Sequence, residues 1–243
     1  MFQKLSIVFR IFLVVLFIYS VLFALVGTIV VFRAHSYVKD IVEQVENMSE
    51  TAPAMSRFMQ DLVDSNPKVK IKHEFVPLDS ISKNLQKAVI AGEDPAFYVH
   101  PGFDARSIAV AVNENVSTGK LLKGGSTITQ QLAKNFFLTG ERTWERKAKE
   151  LGYALLMENE LGKDRILELY LNYAQWGKSI FGCEAASRAY FNTSCSQLDM
   201  KQATDLAAML PSPCNHTPET QDAFMEGRRK LIQTNLPRII NPD

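Results

Sequence analysis

The stretch Ser126-Thr127-Ile128-Thr129-Gln130-Gln131-Leu132-Ala133-Lys134-Asn135-Phe136 decides the fold class. Ile128, Leu132 and Phe136 recur at i, i+4 and i+8, which places them on one face of a helix. Thr127, Gln131 and Lys134 fall on the polar face opposite. Gly124 and Gly125 precede the run, and Ser126 and Thr127 can cap the helix that follows. The same period recurs on both sides. Leu85, Ala88 and Val89 share a face before Glu93, and Ile108, Val112 and Val116 repeat the pattern after Asp104. Trp144, Ala148, Leu151 and Leu155 form a further apolar stripe. Gly162 supplies a stop, and Asp164 can cap a helix carrying Ile166, Leu169 and Tyr170. Two more helices fit residues 199–210 and 219–235. Only Lys68 to Phe75 alternates in the manner of a strand. The body is therefore expected to be mainly α, as one domain over 76–243.

Composition narrows the function classes. The chain has 243 residues, 27 Lys+Arg and 26 Asp+Glu, for a formal net charge of +1. That balance argues against a partner bound through overall basicity, so no nucleic acid is expected. Hydrophobic residues at 47% with 22% charged exclude intrinsic disorder. Three cysteines are too few for a disulfide scaffold. One pair can still bridge in an oxidising compartment, and Cys183–Cys195 is the favoured pair.

The averages hide a segment of another kind. Ile11 to Phe32 carries no charge. At about 1.5 Å per residue this run is roughly 33 Å long, enough to cross a ~30 Å hydrocarbon layer. It exceeds the apolar part of a signal peptide, and Arg33-Ala34-His35-Ser36 is a poor cleavage site. The expected organisation is a cytoplasmic tail at 1–10, a transmembrane anchor at 11–32, a stalk at 33–75 and then the exported domain. Lys4 and Arg10 on one side face Arg33 and Lys39 on the other, so the charge bias for orientation is weak. The stalk is expected to be helical, broken at Pro53 and ended by Asn66-Pro67.

Three segments crowd groups capable of chemistry. Glu93, Asp94, Phe97, His100 and Asp104 lie in a stretch where Pro95, Pro101 and Gly102 interrupt regular structure. Carboxylates there either cap a neighbouring helix or act as general acid or base. The Gly-rich entry before Ile128 suits an anion at a helix N-terminus, or is simply the start of an amphipathic helix. Arg146, Lys147 and Glu150 share one side of a helix by i, i+3 and i, i+4 spacing. A basic residue ahead of the acid is the less favourable order for a plain ion pair, which favours another purpose, such as binding an anion and a metal.

In chain order these segments resemble the five motifs of the peptidoglycan glycosyltransferases, glycosyltransferase family 51. The likeness runs from about Val76 to Pro213. It comprises Glu93-Asp94-x-x-Phe97-x-x-His100-x-Gly102-x-Asp104, then Gly124-Gly125-Ser126-Thr127-Ile128-Thr129-Gln130-Gln131-Leu132-x-Lys134-Asn135. Arg146-Lys147-x-x-Glu150 follows, then Lys163 to Asn172, and last Ala185-Ala186 with Tyr190-Phe191. The resemblance implies a lysozyme-like glycosyltransferase domain that polymerises lipid II into β-1,4-linked glycan strands, with inversion and release of undecaprenyl pyrophosphate. It implies Glu93 as the general base and Glu150 as the second catalytic carboxylate, holding a divalent metal (Mg or Mn) or ordering the basic cluster. Ser126, Thr127, Gln131, Lys134, Arg142, Arg146 and Lys147 are the implied ligands of substrate and pyrophosphate. Asp94, Phe97, His100 and Asn172 are implied supports, and Tyr170 is read as core packing. The implied partners are lipid II, the growing glycan chain, the membrane, and other cell-wall synthesis or division proteins. The implied location is the bacterial inner membrane, with the domain on its outer face.

Two other readings stand beside this one. The first is a lysozyme-like glycan-cleaving enzyme, which has no need of a basic pyrophosphate clamp. The second is a non-catalytic scaffold for cell-wall assembly. Ser80-Ile81-Ser82-Lys83 and Ser117-Thr118-Gly119-Lys120 both spell S-x-x-K, but no K-T-G follows, so no transpeptidase activity is expected.

Overall fold

The computed structural model describes residues 2–105, 109, 125–138, 140 and 143–239. The chain divides into two units, Met1–Asn47 and Met48–Asp243. The first unit is helical throughout its described length, within α1 (Phe2–Glu50). From Ile11 to Phe32 the side chains are exposed although apolar. This segment is long and apolar enough to cross a membrane. Nothing in the segment itself buries that surface, which is the arrangement lipid would cover.

The second unit is mainly α, as the periodicity predicts. Its helices are α2 (Arg57–Ser65), α3 (Lys83–Glu93), α4 (Ile128–Phe137), α5 (Trp144–Tyr173), α6 (Cys183–Phe191), α7 (Met200–Met209) and α8 (Ala223–Asn235). The starts follow the expected chemistry. Thr127 caps α4 through the Gln130 N–H, and the Gln130 side chain accepts the Thr127 N–H in return. Asp199 and Gln202 do the same for α7, and Asp222 caps α8. The helix expected around Ile108, Val112 and Val116 lies outside the described residues.

Three expectations change. The stalk predicted at 33–75 is partly built into the second unit. α1 ends before Pro53, but Ser56 then caps α2, whose Met59 is fully buried. Phe58 meets Phe181 edge to face at 5.9 Å. The strand signal at Lys68–Phe75 is realised only as β1 (Lys72–His73), which pairs in parallel with β2 (Ile180–Phe181). The third change is in α5. The stripe Trp144, Ala148, Leu151 and Leu155 does not face the core, for Trp144 is 91% exposed and Leu155 is exposed too. The buried face of that half carries Glu150, Tyr153, Ala154 and Met157 instead. The helix is rotated toward its charged motif, so apolar spacing alone picked the wrong side. Gly162 does interrupt α5, with φ +71, a conformation open to glycine.

The core brings α4 and α5 together, and α3, α7 and α8 pack as a second group. Leu85, Ile128, Leu132, Met157, Leu167, Leu169 and Phe97 are fully buried. Truncating one of these, such as Leu132→Ala, costs about 2–5 kcal/mol. α4 lies where both groups of charged residues converge.

Candidate active site

Glu93 is the last residue of α3 and is 10% exposed at its side chain. Gln131, one turn into α4, donates its amide to Glu93 Oε2 at 2.9 Å. Tyr170, on α5, donates its hydroxyl to Gln131 Oε1 at 3.0 Å, which fixes the way the amide faces. Burial, and then the nearby Glu93 charge, push the Tyr170 pKa well above its ordinary value. Tyr170 therefore remains a neutral donor. The other oxygen of Glu93 is taken by Arg228 of α8.

Asp94 and His100 brace this corner. His100 Nε2 lies 2.9 Å from Asp94 Oδ2, and both residues are buried. His100 Nδ1 accepts the Gly102 N–H, so the network assigns the ring proton to Nε2. Asp94 also accepts the N–H of Ile128 at 3.0 Å, tying the first motif to the start of α4. Phe97 is fully buried beneath the Lys163 ammonium, which stands 4.6 Å from the ring centre. Gly102 sits at φ +94, and a Cβ there would meet the Ala154 carbonyl oxygen at 3.1 Å. Only glycine lets this loop lie on α5.

The second cluster gathers around Glu150, whose side chain is 3% exposed. Arg146 Nη1 lies 2.7 Å from Glu150 Oε2, and Lys147 pairs with Oε1. Lys147 also donates to Ser126 Oγ at 2.9 Å. Lys134 is exposed along its side chain, yet protein crowds its charge. Desolvation lowers its pKa below the usual lysine value, against the pull of Glu150 and with help from Arg146 and Lys147.

Several expected roles shift. Thr127 is buried, caps α4 and donates its hydroxyl to the Gly102 carbonyl at 2.7 Å, so it holds the motifs together instead of facing a ligand. Asn172, expected as a support, is fully buried and clamps the Val76 backbone, accepting its N–H at 2.9 Å and donating to its carbonyl at 2.8 Å. Arg142 lies outside the described residues. A metal at Glu150 does not fit the donors present. Both carboxylate oxygens already face cations, and no group of three His, Cys, Asp or Glu suited to a metal occurs among the described residues. Cys183 and Cys195 are both buried free thiols. They are close enough for a thiol hydrogen bond, which with burial raises the Cys195 pKa. The favoured pair is thus adjacent but not bridged.

Sequence reasoning missed Arg228 and read Tyr170 as packing. Arg228 sits in the run Arg228-Arg229-Lys230, a pattern that more often marks a solvated face. Nothing local distinguishes Arg228 from Arg229, which instead binds Asp205 Oδ1 at 2.6 Å and the Pro218 carbonyl at 2.8 Å.

A cavity of about 190 Å³ opens beside the two clusters, lined by Gln131, Lys134, Asn135, Tyr170 and Gln175 among others. A larger one, about 510 Å³, lies around Lys201, Asp205 and Arg229 and holds none of the expected site residues.

A family described as Transglycosylase matches residues 60–236. A protein of Thiobacillus denitrificans named biosynthetic peptidoglycan transglycosylase is 50% identical over 172 residues, covering 71% of this chain and 74% of that protein. Proteins of the same name from Alcanivorax borkumensis and Herminiimonas arsenicoxydans are 46% and 42% identical. They cover 71% and 77% of this chain, and 71% and 81% of their own lengths. With the matched region spanning both carboxylate clusters, the chain belongs to the transglycosylase family, whose members of that name are peptidoglycan glycosyltransferases.

Proposed function

We propose that this chain polymerises lipid II into β-1,4-linked glycan strands at the outer face of the bacterial inner membrane. The observation that carries the reading is a pair of unlike sites, to each of which α4 contributes a side chain: Gln131 to one and Lys134 to the other. At one, the carboxylate of Glu93 is held by Gln131 and Arg228. At the other, Lys134, Arg146 and Lys147 gather around Glu150.

Each carboxylate oxygen has two lone pairs, so two protein donors leave room for a substrate hydroxyl. Glu93 takes the proton of the acceptor's 4-hydroxyl as that oxygen attacks the anomeric carbon of the donor. The new glycosidic bond forms as the bond to pyrophosphate breaks, with inversion, and the electron pair leaves on the pyrophosphate. Lys134, Arg146 and Lys147 stabilise the charge that develops there. Glu150 keeps two of those cations in place. A single carboxylate already paired to cations is a weak seat for a divalent ion, so charge stabilisation is assigned to the basic side chains. The lipid substrate stays in the bilayer, which suits a domain tethered by an apolar helix.

The test incubates the detergent-solubilised full chain with lipid II and a divalent metal. Polymer that disappears in Glu93→Gln is expected. No polymer, or shortening of preformed strands, overturns the reading.

A further inference from the structure

We propose that Arg228 is a positioning residue for the general base: it aims the carboxylate of Glu93 from the far side of the site. The inference rests on the glycosyltransferase reading above and adds to it a residue outside all five recognised motifs.

Glu93 ends α3, where the chain turns away, so nothing in its own helix fixes its side chain. Its two oxygens have separate restraints. Gln131 of α4 holds Oε2 at 2.9 Å, and Arg228 of α8 holds Oε1. The two donors come from different helices, so together they set the plane of the carboxylate. Gln131 is neutral and is itself held by Tyr170. Arg228 brings a positive charge, and a charge-assisted contact fixes a carboxylate more firmly than a neutral amide does.

The approach of α8 is built for this contact. Gly92, next to Glu93, lets α8 lie close. A Cβ there would meet Ile232 Cγ1 at 3.1 Å and Arg228 Nη2 at 3.3 Å. Asn235 donates to the Ala91 carbonyl at 3.0 Å, fastening the same helix about two turns past Arg228. Arg228 and Glu93 are 16% and 10% exposed.

Stability alone does not account for this pair. A buried ion pair is weak evidence for stability, since desolvation offsets the attraction. Arg228 Nε is buried with no hydrogen-bond partner among the described residues, itself a destabilising feature. Arg229 makes the contrast. Its guanidinium is spent on Asp205 and on two backbone carbonyls, as a structural arginine's should be.

Steady-state kinetics of the full chain with labelled lipid II test the assignment, using wild type, Arg228→Ala and Arg228→Lys. A misplaced base costs about 10²-fold in rate. Arg228→Ala is therefore expected to lose about that much kcat with KM for lipid II within a fewfold of wild type. Arg228→Lys, which restores the charge, is expected to regain a large part of it. Should Arg228→Ala melt early, Arg228→Lys carries the test alone through a loss confined to kcat. Wild-type kcat in both variants overturns the inference, as does a loss seen in KM with kcat unchanged. A wild-type chain that forms no polymer overturns the glycosyltransferase reading instead, and the two failures are thus distinct.

Discussion

Two of the nearly buried carboxylates, Glu93 and Glu150, are held in opposite ways. Glu150 is gripped by its own helix, through Arg146 at i−4 and Lys147 at i−3. Glu93 is gripped by other helices, through Gln131 on α4 and Arg228 on α8. Both of Glu150's oxygens face cations, whereas one of Glu93's faces a neutral amide. A carboxylate saturated by adjacent cations is an anchor that orders them. A carboxylate held at its edges by one cation and one amide fits the proton acceptor proposed above. The difference teaches that a buried acid is assigned a role by its partners more than by its burial.

The sharpest way to break this comparison is to neutralise each acid in turn. Glu93→Gln is expected to lose about 10²–10⁴-fold in kcat, the usual worth of a positioned proton acceptor. Glu150→Gln leaves Arg146 and Lys147 without their anchor. It is expected to lower kcat/KM by about 10²-fold, on the scale of removing one donor to a developing charge, and to raise the KM for lipid II. A Glu150→Gln enzyme that loses only kcat would place Glu150 in the chemistry and erase the contrast.

A gentler test uses pH. The Lys134 pKa lies below the usual lysine value, chiefly through desolvation. As pH rises, Lys134 therefore gives up its proton before an exposed lysine would, and the clamp weakens. Activity is expected to fall on the alkaline side, and Lys134→Arg to move that limb upward, because arginine stays charged. The same shift acts on folding with the opposite sign. The unfolded chain binds this proton more tightly, so this group's contribution to stability rises as pH climbs through the lowered value. A rate profile flat through that range in wild type would exclude Lys134 from the clamp.

The smallest expected effect concerns the exposed stripe of α5. Trp144→Ala is expected to change folding stability by no more than about 0.5 kcal/mol, as at other surface positions. Chemical denaturation of the full chain, followed through the second unit's signal, would measure it. A loss of several kcal/mol would mean that the stripe is covered after all.

Much of the fold was legible in the sequence. Ile128, Leu132 and Phe136 sit in the core as their spacing required, and Thr127 caps the helix they define. The charge-free run from Ile11 to Phe32 forms one exposed apolar helix. The failures have a physical pattern. Trp144 to Leu155 fooled the apolar count because the helix faces the core with Glu150, a charged residue whose burial is tolerated only by local ion pairs. The strand at Lys72 could not be sized, since its partner Ile180 lies far along the chain.

The sequence by itself determined what is local: helical period, caps, the long apolar helix and the Arg146–Lys147–Glu150 cluster, whose spacing alone brings it to one side of a helix. Only the tertiary structure decided what depends on distant helices meeting. It turned Thr127 and Asn172 inward as clamps, and made Tyr170 the support of Gln131. It also chose Arg228 over Arg229 for Glu93. Neighbours in a helix point about 100° apart, so two adjacent arginines reach different parts of the molecule, and which one reaches Glu93 depends on how α8 is seated against Gly92.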